Sequence, residues 1–183
     1  MPISAEDRGR LIQLARQSLS HIVANGPAPA LGTMAGILAE RRGCFVTLTN
    51  RGQLRGCIGT FAPRSPLAEA VVRMAAEAAR DSRFLYTRPV TARELPELTV
   101  EISVLSPLEP IGDPLSIEIG KHGIYIVRGH ASGCFLPEVA TDQGWNVEQF
   151  LSYCCEHKTG LPGDAWRQDG TQVYVFTSEK FSE

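Results

Sequence analysis

The sequence lacks the marks of the familiar enzyme classes. It has no Gly-x-Ser-x-Gly elbow, no Gly-x-x-x-x-Gly-Lys phosphate loop and no Gly-x-Gly-x-x-Gly opening a helix after a strand, so hydrolase, P-loop and dinucleotide-binding readings find no anchor. It has no excess of charge either: 18 Lys and Arg oppose 20 Asp and Glu, for a net charge of −2. Aromatics are few (seven Phe, four Tyr, two Trp) and do not alternate with basic residues, so no nucleic-acid groove is expected. No apolar run reaches membrane-spanning length and no leader-like segment opens the chain, so a cytoplasmic protein without membrane contact is expected. The five cysteines include no Cys-x-x-Cys pair, which argues against a disulfide framework or a zinc ribbon and for reduced thiols. Cys154 and Cys155, adjacent on a predicted helix, point about 100° apart and are poorly placed to bridge. Cys154 with His157 supplies only two of the ligands a zinc site needs, so neither metal nor cofactor is expected.

What is present suits an ordinary folded domain. The 183 residues are 43% hydrophobic and 21% charged, enough for one well-covered core and too few for two generous domains, so residues 1–183 are read as a single domain. Leu11, Ile12, Ala15, Leu19, Ile22 and Val23 recur at helical spacing after a Ser4/Asp7 capping pair, predicting a helix over 5–24. A second helix is predicted with Ser65 as N-cap and Pro66 at its first position. Thr91 to Glu94 reads as a capping box, and Leu98 to Leu105 alternates as a half-buried strand. Pro107, Pro110 and Pro114 mark a passage between lobes. Short strands are expected at 117–119 and 123–128 with Lys121-His122-Gly123 between them, a turn at 129–133, helices from Pro137 and from Asn146, and a closing strand at 172–176. Hairpins separated by helices indicate an α+β fold, mainly antiparallel sheet flanked by helices.

The chain is organised around Cys44 to Phe61, which reads as a β-hairpin turning at Asn50-Arg51-Gly52. Strict alternation on its second arm puts Arg55, Cys57, Gly59 and Phe61 on one face, setting a guanidinium beside a thiol and favouring thiolate. Gly56 and Gly59 bracket Cys57. Glycine weakens a strand unless something needs the space, either a ligand or a closely packed helix. Asp81, Ser82 and Arg83 lie at a helix exit, where Asp81 and Arg83 either turn toward Cys57 or cap the helix and pair with each other. Glu101 and Ser103 share the polar face of their strand, and His122 sits on a glycine-flanked turn.

Leu54-Arg55-Gly56-Cys57-Ile58-Gly59-Thr60 resembles the signature of the AMMECR domain family, whose bacterial and archaeal members are called AmmeMemoRadiSam system protein A. The resemblance continues in order through Cys44-Phe45-Val46-Thr47-Leu48, Asp81-Ser82-Arg83-Phe84, Glu101-Ile102-Ser103-Val104-Leu105, Gly120 to Ile124, Phe135 to Ala140 and Lys158-Thr159-Gly160-Leu161. It implies an AMMECR-like fold with a larger and a smaller lobe, a cleft between them lined by the signature strand, and a pathway shared with a Memo-like protein and a radical S-adenosylmethionine (SAM) enzyme. It names no reaction.

Two functions follow. In the first, the chain is an enzyme component using Cys57, with Arg55 activating the thiol or gripping an anion, His122 and Asp81 moving protons, and Arg55, Gly56, Gly59, Arg83 and Glu101 lining the substrate site. In the second, a non-catalytic adaptor binds a peptide or small anion through Arg55, and Cys57 matters only through its size.

Overall fold

The computed structural model describes residues 2–61 and 64–183. They form two units, one comprising residues up to Leu105 together with Glu179–Glu183, the other Ser106–Ser178. In the first unit α1 (Ala5–Ala24) precedes a 3-10 turn (Gly36–Ala39), the hairpin of β1 (Cys44–Asn50) and β2 (Gln53–Thr60), α2 (Leu67–Ala78), the single-turn α3 (Ser82–Leu85), a 3-10 turn (Leu95–Glu97) and β3 (Leu98–Leu105). The second unit holds β4 (Glu109–Pro110), β5 (Gly123–Arg128), β6 (Ala131–Phe135), α4 (Pro137–Gln143), α5 (Val147–Cys154) and β7 (Gln172–Phe176). β8 (Ser178–Ser182) returns the chain to the first sheet. Strand orders are β2-β1-β3-β8 and β4-β7-β5-β6, and β1 runs antiparallel to both of its neighbours, so the architecture is α+β.

Helix α1 starts where Ser4 accepts the Asp7 N–H at 3.1 Å and stops at Asn25 in the left-handed conformation (φ 53°). Its stripe of Leu11, Leu14, Ala15 and Leu19 is fully buried with Val71, Ala75 and Ala78 of α2 against Val46, Leu48, Val100 and Ile102 of the sheet. Arg51 and Gly52 both take positive φ (50° and 78°), as a two-residue hairpin turn matched to the strand twist requires. In the second unit Phe150, Leu151 and Cys154 of α5 pack on Ile124, Ile126, Val173 and Val175. Asn146 and Gln149 form the expected capping box, with Gln149 N–H to Asn146 Oδ1 at 2.9 Å and Asn146 N–H to Gln149 Oε1 at 3.0 Å.

Several local expectations give way. Pro66, not Ser65, is the N-cap of α2, and no side chain caps it. Residues 117–119 form no strand: Asp113 accepts the Leu115 N–H at 2.9 Å, a 3-10 turn over Pro114–Ser116 follows, and Glu118 and Ile119 enter a turn in which the Glu118 carbonyl accepts the Lys121 and His122 N–H groups. The turn expected at 129–133 is shorter, because Ala131 already pairs with Arg128 across β5 and β6. No hydrophobic alternation announced β4 or β8, which are short; β4 is exposed, and β8 buries only Phe181.

Candidate functional site

A β-bulge decides the geometry of the signature strand. Leu48 lies opposite Gly56 and Thr49 opposite Leu54, which leaves Arg55 as an extra residue without a cross-strand partner. Simple alternation fails there, so Arg55 is not set beside Cys57. Its side chain is 1% exposed and grips Glu94 from the side: Nε to Oε1 at 2.5 Å and Nη2 to Oε2 at 3.0 Å, with Nη2 also donating to the Pro89 carbonyl at 3.2 Å. Asn50 Nδ2 adds a further donor to Glu94 at 3.2 Å. The Arg55 hydrogen bond holds the Glu94 carboxyl down at about 2, and Glu94 in turn raises Arg55 above its ordinary value. Arg55 Nη1 is buried with no hydrogen-bond partner among the described residues. Arg55 thus braces the hairpin to the segment before β3.

Cys57 lies past the bulge, opposite Thr47, which is itself opposite Glu101. The three side chains make a row on the sheet face away from Val46, Ile58 and Ile102. The Thr47 hydroxyl donates to Cys57 Sγ at 3.2 Å, and Glu101 pairs with Lys180 of β8 at 3.4 Å. The main chain of Cys57 is clamped from α3. Its N–H donates to Asp81 Oδ2 at 3.1 Å, and its carbonyl accepts from Arg83 Nη2 at 3.3 Å. Asp81 caps α3 by accepting the Arg83 N–H at 3.0 Å and binds the Arg83 guanidinium through Nη2 at 2.6 Å. Asp81 and Arg83 therefore pair with each other and also hold Cys57.

The electrostatics assign different tasks to this pair. The Arg83 hydrogen bond keeps the buried Asp81 carboxyl at about 2, so it stays ionised near neutrality and positions its neighbours. Arg83 is raised above its ordinary value, first by the Asp81 hydrogen bond, with Cys57 a smaller contributor. Its side chain is 54% exposed, which leaves a guanidinium able to meet a ligand. Burial raises the Cys44 thiol to about 12 and the Cys134 thiol to about 11, and raises Cys154 and Cys155 as well.

The glycines are accounted for by packing. A Cβ on Gly56 would sit 2.0 Å from the Ala78 carbonyl oxygen, where α2 ends against the strand, and one on Gly59 would sit 2.2 Å from the Phe45 ring. Protein already fills both spaces. His122 belongs to the second unit, where its Nδ1 accepts the Glu118 N–H at 3.2 Å and closes a local turn. Among the described residues, no three His, Cys, Asp or Glu side chains are grouped as a metal site. Sequence reasoning missed Glu94 as the partner of Arg55, because the Thr-x-x-Glu spacing reads as a helix cap alone. It also missed Thr47, which the hairpin register alone would have placed opposite Cys57.

The AMMECR1 family model matches residues 12–181. A Methanothermobacter thermautotrophicus protein is 38% identical over 190 residues, covering 100% of this chain and 97% of its own length. A Thermococcus gammatolerans protein is 42% identical over 186 residues, covering 94% and 88%. Among solved structures, an uncharacterised protein from Pyrococcus horikoshii superposes with a TM-score of 0.85 at 37% identity, over 99% of this chain and 93% of that one. With family motif, relatives and fold agreeing along almost the whole length, the chain belongs to the AMMECR1 family.

Proposed function

We propose that this chain is a cytoplasmic, thiol-dependent component of a pathway shared with a Memo-like protein and a radical SAM enzyme, with Cys57 as its reacting group. The observation that carries the reading is the clamp. Asp81 and Arg83 fix both main-chain polar groups of Cys57 while its side chain stays half-buried at the sheet face. A thiol held this way keeps its direction, and Arg83 supplies the adjacent cation that the sequence had assigned to Arg55. Thr47 borders the sulfur, and Glu101 lies beyond Thr47 on the same face. The pathway association rests on family resemblance.

The test is competitive alkylation with limiting iodoacetamide, read by peptide mass spectrometry. Cys57 should be labelled well before Cys44, Cys134, Cys154 and Cys155. Labelling that starts elsewhere, or that spares Cys57, defeats the thiol reading.

A second reading, the adaptor, is favoured by one observation. Tyr86, just past α3 and Arg83, is 89% exposed, and Leu85 and Leu54 are also exposed. An open cation followed by apolar side chains suits an anionic peptide. Cys57→Ser separates the readings in a mixture of the three proteins: a thiol enzyme loses its product, and an adaptor keeps both product and partner binding.

A further inference from the structure

The hairpin end of the first unit holds a cavity of about 560 Å³ lined by Asn50, Arg51, Gln53, Arg88, Thr91, Arg93, Glu94 and Glu97. Every lining residue is polar or charged, so the space suits a hydrophilic ligand rather than an apolar one. Charge accounting gives the sign. Glu94 is neutralised by the buried Arg55 guanidinium, and Glu97 faces Arg51 at 3.4 Å. Among the described residues the Arg88 guanidinium donates only to the neutral Gln53 amide oxygen, at 3.4 Å, and the exposed Arg93 side chain has no hydrogen bond or ion pair. Two guanidinium charges therefore open onto one cavity without a carboxylate of their own.

From this we infer that the cavity binds a small doubly charged oxyanion, a phosphate monoester or a dicarboxylate, with Arg88 and Arg93 as its principal ligands. Guanidinium forks match the paired oxygens of both groups, and the Thr91 hydroxyl and Gln53 amide supply further donors. Arg55 acts indirectly: by holding Glu94 in a bidentate pair it removes the negative charge that would repel such a ligand from the cavity wall. The volume exceeds that of a bare phosphate, leaving room for the organic body. The site is separate from the thiol and does not depend on Cys57.

The full-length protein is titrated with inorganic phosphate, glycerol 3-phosphate, succinate and, as neutral control, glycerol, following arginine side-chain NMR signals. Saturable binding of at least one dianion, weakened by added salt, is expected. Arg88→Gln and Arg93→Gln should each weaken it about tenfold, the scale of one charge-assisted hydrogen bond. Both side chains are exposed, so the melting temperature should hold. Cys57→Ser should bind like the parent, so failure here and failure of the thiol reading are distinguishable. Preference for glycerol 3-phosphate names the phosphate monoester class and preference for succinate the dicarboxylate class. The assignment is overturned if no dianion saturates, if glycerol competes equally, or if binding survives both arginine substitutions.

Discussion

Arg83, not Arg55, is the arginine that meets Cys57: its Nη2 donates to the Cys57 carbonyl at 3.3 Å, while its other bonds run to Asp81. The cation is thus supplied from across the strand by the single turn of α3. Arg83→Gln is expected to slow Cys57 alkylation several-fold at neutral pH, because a nearby cation favours the thiolate. Arg55→Lys, remote from the sulfur, should leave that rate unchanged. Pseudo-first-order labelling of the two variants settles it, and equal rates in Arg83→Gln and parent would remove Arg83 from the site.

The Arg55 and Glu94 pair should behave as a buried brace. Removing one partner leaves a buried charge, so Arg55→Met is expected to cost on the order of 3–5 kcal/mol, whereas Arg55→Met with Glu94→Leu should recover most of that loss. Urea denaturation of the two single variants and the double variant closes the cycle. A double variant no more stable than Arg55→Met would mean that packing, not the uncompensated charge, sets the cost.

How much of this was legible follows from what each signal depends on. Helix α1, the hairpin and β3 were readable because burial imposes a period on their own residues, such as Leu11, Ala15 and Leu19 or Val100, Ile102 and Val104. The bulge was not, since strand period says nothing about where one extra residue enters, and moving Arg55 by one position redirects its side chain. Asp81 and Arg83 were found as candidates, but their grip on Cys57 links residues 24 and 26 apart in sequence. Glu94 obeys a local capping rule, with its carboxylate bonded to the Thr91 main chain, and is also recruited by a buried partner 39 residues away.

Gly56 and Gly59 should tolerate no side chain, for different reasons. At Gly56 the obstacle is the Ala78 backbone carbonyl, 2.0 Å from a built Cβ, which cannot move without disturbing the end of α2. Gly56→Ala is expected to destabilise the first unit by at least the ~1–3 kcal/mol typical of overpacking. At Gly59 the obstacle is the Phe45 ring, a removable side chain, so Gly59→Ala should be partly rescued by Phe45→Leu. Thermal melts that show equal rescue by Phe45→Leu at both positions would contradict this difference in neighbours.

Acid should loosen the first unit before it affects the second. Asp81 and Glu94 are both held at about 2 by arginine partners, from ordinary values of 3.8 and 4.5. A carboxyl depressed on folding adds stability that is fully present above its unfolded pKa and is lost as pH falls toward the folded one. Asp81 should contribute on the order of 2 kcal/mol and Glu94 on the order of 3 kcal/mol at neutral pH, disappearing between roughly pH 4.5 and pH 2. Fluorescence reports poorly on this, because Trp145 and Trp166 both belong to the second unit. Hydrogen exchange of the β1 and β2 amides at pH 6, 4 and 3, corrected for intrinsic rates, follows the first unit directly. Protection should fall with pH in the parent and fall less steeply in Asp81→Asn and Glu94→Gln, which start lower but have one titrating carboxylate fewer. Parallel slopes in the parent and both variants would place the acid-sensitive group elsewhere.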